Sequence, residues 1–210
     1  IIATKNITEE GLTSLLVMVS SLKWRLPVND ELFYDKDRQY TYDKLPISIK
    51  AINDDGSQNT EAIEHLLNSE IFNRTKRLIF PFLPFYNNYE IAEDKLSKLH
   101  QNSYIDSNEI ITSILGDSPI IESKRSDIED FGNFILPLGN KETFICSDSG
   151  NKKVNSIAFY VNKDLAMFHQ AKKYVVCCNK DHLAAIIYAY QNLHSVGQTN
   201  LIHEHIFKFV

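Results

Sequence analysis

Residues 152–195 read KKVNSIAFYVNKDLAMFHQAKKYVVCCNKDHLAAIIYAYQNLHS, and the folding of this stretch decides the architecture of the chain. Residues 154–161 alternate, with Ile157, Phe159 and Val161 on one side and Ala158 and Tyr160 on the other. That period of two predicts a strand. Asn162-Lys163-Asp164 supplies turn residues, so residues 165–169 are expected to return as the second strand of a hairpin. Ala171-Lys172-Lys173 makes another break, and the β-branched, apolar run 174–178 reads as an inner strand. Residues 181–194 then carry Leu183, Ile186, Ile187, Tyr190 and Leu193 at helical spacing. The expected unit is strand, strand, strand, helix, with Cys177 and Cys178 where the last strand meets the helix.

Working outward, Thr8 followed by Glu9 and Glu10 predicts a helix start, with the acids at the positive end of the helix dipole. Leu12, Leu15, Leu16 and Val19 give it one apolar face to about Lys23. Residues 27–58 are turn-rich, with a strand expected over 45–52 and a loop at Asn53-Asp54-Asp55-Gly56-Ser57. That loop lacks the run of oxygen ligands and the closing Glu of a calcium-binding hand. Thr60 is expected to cap a helix with Ile63, Leu66, Leu67 and Ile71 inward. A short strand over 77–80 leads into an aromatic segment interrupted by Pro81 and Pro84, which reads as core filling rather than a docking surface. Residues 89–100 are amphipathic. A second helix is expected from Asp106 or Ser107 to Leu115, with Glu109 completing a capping box, so that the two helices form an αα-hairpin. Residues 119–124, 131–138, 143–146 and 201–210 are the remaining strand candidates.

The fold class that follows is α+β: a helical N-terminal half, then a mainly antiparallel sheet with helix 181–194 packed on it. One globular domain over 1–210 is expected, helical over residues 1–116 and sheet-rich over residues 117–210. The start at Ile1, without Met, reads as a piece of a larger protein. A hydrophobic content of 43% and a charged content of 23% suit a soluble globular chain. The longest apolar runs are about five residues, against the roughly 20 that a membrane span needs. No basic flank and apolar stretch of a signal peptide opens the sequence. Three cysteines, two of them adjacent, argue against a disulfide scaffold and for a reducing, cytoplasmic compartment. The net charge of −5 divides unevenly, with −6 over residues 101–150 and +4 over 151–210. That argues against general nucleic-acid binding but permits a local anionic ligand.

Four groups of residues are chemically suggestive. Cys178 precedes a helix, where backbone N–H groups and the dipole favour an anion, with Lys163 and Lys180 expected near the same end of the sheet. Its base would be one of His169, His182, His194, His203 and His205. The plainer reading of Cys177 and Cys178 is a structural pair, since cysteine is commonly buried. His203 and His205 would share a face of a strand and could supply two ligands to a metal, with His194 or an acid as a third. Glu122 and Lys124 resemble half of a metal-dependent nuclease centre that would need Asp106 or Asp117. Lys152, Lys153, Lys172 and Lys173 would cluster at one end of a meander and bind an anion, or simply protect strand ends from pairing. No phosphate-binding glycine loop, dinucleotide fingerprint or nucleophile elbow occurs, and no cofactor is required by the sequence.

The leading functional expectation is therefore an intracellular protein-interaction or regulatory domain of a larger protein. The first alternative is a cysteine-dependent hydrolase of the peptidase or deamidase type, with Cys178 as nucleophile and His169 or His182 as base. The second is a metal-dependent nuclease using Glu122 and Lys124.

Overall fold

A computed structural model of the chain describes residues 3–26, 50–79, 82, 93–109, 111–123, 133–147, 154 and 156–210. These divide into two compact units, one of Ile1–Leu15 with Ala92–Val210 and one of Leu16–Ile91. The class is α+β, as the residue pattern predicts.

The first unit is built on a five-stranded antiparallel sheet of order β1-β2-β6-β5-β4. Its strands are β1 (Ala3–Asn6), β2 (Tyr104–Ser107), β4 (Ile121–Glu122), β5 (Phe134–Pro137) and β6 (Glu142–Cys146). Pairs such as Thr4 with Asp106 and Asp106 with Thr143 set the register. A separate two-stranded sheet pairs β3 (Leu115–Gly116) with β7 (Val175–Val176). Three helices complete the C-terminal region of this unit: α5 (Ile157–Gln170), α6 (Lys180–Ser195) and the short α7 (Ile202–Ile206). The core joins Tyr104, Ile121, Ile135 and Ile145 of the sheet to Phe159 and Met167 of α5, Ile186 of α6, and Ile202 and Ile206 of α7. Helix α1 (Glu9–Arg25), which belongs to this unit up to Leu15, starts as expected, with Thr8 Oγ1 accepting from Gly11 N at 3.1 Å, and buries Leu12. Helix α4 (Glu93–Asn102) is fastened by His100 Nε2, which bonds Ile7 O at 2.7 Å.

The second unit contains α2 (Thr60–Leu67) and α3 (Glu70–Ile79). Asn59, rather than Thr60, caps α2, its side chain accepting from Ala62 N at 2.8 Å. Ile63 is buried as expected, but Leu66 and Ile71 are exposed. Asp54–Ser57 lies in an ordinary turn. Asp55 accepts from Ser57 N at 2.9 Å and Ser57 Oγ at 2.6 Å, and these bonds hold its carboxyl below the usual range. Residues 45–49 of the expected strand 45–52 lie outside the described residues. So do the aromatic residues 80–86 except Phe82, which is exposed.

Several expected elements are corrected, each for a physical reason. The hairpin over 154–169 is the helix α5. Ser156 caps it by accepting from Phe159 N at 3.1 Å, and its buried stripe of Phe159, Tyr160, Lys163, Asp164 and Met167 has helical, not alternating, period. The polarity of Lys163 and Asp164 mimics a turn, but both face the core. Of the helix expected from Asp106 or Ser107 to Leu115, Asp106 and Ser107 lie in β2 and Leu115 in β3, so the expected αα-hairpin is not formed. Pairing to β1 and β6 overrides the capping-box pattern there. Residues 77–79 belong to α3. Residues 201–210 contain α7: Ile202, Ile206 and Val210 are all buried, and a spacing of four serves a helix as well as a strand. Strands expected over 119–124, 131–138, 143–146 and 174–178 and the helix over 181–194 are present in shortened or closely similar form.

Candidate functional site

The junction of β7 and α6 gathers most of the polar chemistry. Asn179 caps α6, its Oδ1 accepting from Asp181 N at 3.0 Å and His182 N at 3.1 Å. This is the asparagine cap that a polar strand-to-helix junction favours. Cys178, one residue earlier, is exposed, whereas Cys177 is half-buried and packs on the core. Asn140, on the turn between β5 and β6, donates through Nδ2 to Cys178 Sγ at 3.7 Å. That turn is held by Leu138 N on Glu142 O at 2.8 Å and by Ser113 N on Asn140 O at 2.7 Å.

Beneath the junction lies a buried polar network that a linear reading does not expose. Asp164 is 0% exposed and Lys163 1%. Asp164 Oδ2 accepts from His182 Nε2 at 2.6 Å, and Oδ1 accepts from Ile114 N at 3.2 Å. Lys163 Nζ donates to Ser113 Oγ and to Thr143 Oγ1, the latter at 3.4 Å, and lies 3.5 Å from Asp164 Oδ1. Desolvation pushes the Lys163 ammonium below its ordinary value, opposed by Asp164 and Asp106. Asp106, also fully buried, accepts from Tyr160 OH at 2.5 Å. Burial raises the Asp106 carboxyl, against the pull of that bond and of Lys163, and raises the Tyr104 and Tyr160 hydroxyls. An ionised carboxylate only accepts, so with Asp164 ionised the bond is donated by His182 Nε2–H, and Nδ1 is the ring nitrogen outside that bond.

The sequence candidates separate into different places. His182 faces Asp164, with its side chain 16% exposed. His169 instead bonds Tyr190 OH through Nδ1 at 3.1 Å, and its ring lies 5.9 Å from that of His203. Burial and the Lys172 charge hold His169 below its ordinary value. The strand argument for a metal at His203 and His205 does not survive, because both are in α7. Residues two apart on a helix diverge by about 200°. His203 is half-buried and His205 exposed. No group of three metal-ligating side chains occurs among the described residues. Glu122 and Asp106 lie on β4 and β2, with β5 and β6 between them. Three strand spacings of about 4.8 Å put them roughly 14 Å apart, too far to bridge one metal. Asp117 accepts from Lys172 N and Lys173 N, each at 2.8 Å. Lys124, Lys152 and Lys153 lie outside the described residues; Lys172 and Lys173 are exposed. Lys163, placed in a turn by the sequence pattern, is the buried cation of the network. Its four-residue offset from Phe159 and from Met167 was the available signal.

β7 has one more feature. In the register that pairs Leu115 with Val176, Asp117 N donates to Tyr174 O at 3.2 Å. Alternate residues of an antiparallel strand face its partner, so Tyr174 and Val176 turn their backbone groups to β3. Val175 turns its N–H and C=O outward, and β7 has no second neighbour among the described strands. On the side-chain face Tyr174 is 66% and Val176 61% exposed, while Val175 and Cys177 pack inward. Lys172, Lys173 and Lys180 flank the strand, all exposed.

No known protein family, curated protein or solved structure matches the chain. No described helix is long and apolar enough to cross a membrane.

Proposed function

We propose that the protein is a protein-interaction domain that takes an extended peptide along the outer edge of β7. The observation that supports the reading is this edge: the outward N–H and C=O of Val175 between exposed Tyr174 and Val176. Strand addition uses such groups for affinity and alternate side chains for specificity. Lysines at both ends favour a peptide whose apolar centre has acidic flanks. The same lysines read as plain edge protection when no partner is bound.

The test is fluorescence anisotropy with a labelled peptide of alternating Val and Tyr flanked by Glu, a Lys-flanked counterpart, and a Glu-flanked peptide N-methylated at alternate positions. The Glu-flanked peptide is expected to bind. N-methylation weakens it by about five- to thirtyfold, as the loss of one or two hydrogen bonds of about 1 kcal/mol would. Equal binding of the N-methylated peptide removes strand addition, and equal binding of the Lys-flanked peptide removes the charge argument.

A further inference from the structure

We propose that Cys178, His182, Asn140 and Asp164 form an acyl-transfer site at the β7–α6 junction, acting on an amide carbonyl of a peptide lying along β7. The substrate class rests on the binding reading above; the chemistry of the four residues does not. The β5–β6 turn brings Asn140 to Cys178, the middle of α5 brings Asp164 to His182, and the Asn179 cap joins the two pairs along the chain. The arrangement is a nucleophile, a base and a residue that orients the base, with a side-chain donor beside the nucleophile.

Asp164 is the positioning residue. It is wholly buried and its bond to Nε2 at 2.6 Å selects the tautomer whose Nδ1 can take a proton. The base is anchored in the core while its ring reaches the surface. Cys178 is the residue before the Asn179 cap of α6, and His182 is the third residue of the helix after it. At rest Sγ is bonded to Asn140, and proton transfer requires it to turn toward Nδ1, as nucleophile–base contacts often tighten only with substrate bound. In the first step the Sγ–H proton passes to Nδ1 as sulfur adds to the carbonyl carbon. The carbonyl oxygen takes the electron pair and accepts a hydrogen bond from Asn140 Nδ2. Collapse breaks the C–N bond, and the amine leaves with the proton held on Nδ1. Water then gives a proton to Nδ1 while its oxygen adds to the thioester carbon; the C–S bond breaks and sulfur recovers the proton.

The full chain is treated with p-nitrophenyl acetate, and acetylation of Cys178 is followed by intact mass and peptide mapping. Expected is an acetyl adduct on Cys178 that forms faster than on a free cysteine peptide, and a loss of about a hundredfold in His182→Gln, the low end of a general base's contribution. Asn140→Ala is expected to slow acetylation, and Asp164→Asn to shift the ¹⁵N signals of the His182 ring away from the Nε2–H tautomer. His182→Gln alters a partly exposed side chain and keeps the test valid even if Asp164→Asn unfolds. Acetylation of Cys178 at the peptide rate, or unchanged by His182→Gln, overturns the proposal. If instead acetylation is fast and His182-dependent but the Glu-flanked peptide neither binds β7 nor competes, the site stands and the binding reading falls.

Discussion

Asp164→Asn is the sharpest perturbation of the buried network. Both Asp164 oxygens accept: Oδ2 from His182 Nε2 at 2.6 Å, Oδ1 from Ile114 N at 3.2 Å. Asparagine offers one acceptor oxygen and one NH₂ donor, so it satisfies both neighbours only if His182 moves its ring proton from Nε2 to Nδ1; otherwise one donor is left without an acceptor. An unsatisfied buried group costs about 1–3 kcal/mol. The substitution also removes the nearest counter-charge of Lys163, 3.5 Å away, and both side chains are at most 1% exposed, so solvent does not screen the loss. Breaking a buried pair from one side costs about 3–5 kcal/mol. Urea unfolding followed by circular dichroism should therefore show Asp164→Asn destabilised by about 3–5 kcal/mol at unchanged slope. Lys163→Met together with Asp164→Asn should cost less than the sum of the two single changes, because the orphaned ammonium is gone. A loss below about 1 kcal/mol, the range of surface changes, would mean that the network is hydrated and would refute the burial argument.

Other outcomes follow from the same structure. Phe159→Ala should cost about 3–5 kcal/mol and Ile157→Ala no more than about 0.5, because Phe159 is fully buried and Ile157 is 68% exposed; equal losses in denaturant unfolding would restore the hairpin phase. Thiol labelling with a maleimide, mapped by mass spectrometry, should modify exposed Cys178 first, half-buried Cys177 more slowly and buried Cys146 only on unfolding. The Asp106 carboxyl is raised above its ordinary 3.8, so the folded state binds its proton more tightly than the unfolded state does. Its contribution to stability is full below 3.8 and is lost as pH rises through the folded value. The stability of the natural chain relative to Asp106→Asn should fall with rising pH across that window; a rise in denaturant titrations would reverse the sign. His169, held below 6.5 by burial and Lys172, should show an NMR titration midpoint under that of a free histidine.

The strands over 121–122, 134–137 and 142–146 and the helix over 180–195 were legible because local period and core demand agree in them. The helix α5 was not legible, although its sequence carries the pattern. A window that stops at Val161 sees Ile157, Phe159 and Val161 alternate, and the polar residues after it look like a turn. Only Phe159, Tyr160, Lys163, Asp164 and Met167 taken together show the period of 3.6, and that requires granting two charged residues a place inside. Those two residues are the centre of the polar network, so the same assumption hid both the helix and the site. In α7 a four-residue spacing fits either period, and Glu204 on the face of Ile202 and Ile206 was the one sign against a strand. The thiol junction was legible in outline: Cys178 faces out and Cys177 in. Asn140 was not, because it reaches Cys178 from 38 positions away through a turn that no local pattern connects to it.

The binding reading rests on which backbone groups of β7 face outward. Amide hydrogen exchange resolved by NMR measures this residue by residue. The amide of Val175 should exchange fast in the free protein, that of Val176 more slowly through its pairing with Leu115. The Glu-flanked peptide should slow Val175 selectively. Protection of Val175 without peptide, or no change on adding it at a concentration that saturates the anisotropy signal, would contradict strand addition at this edge.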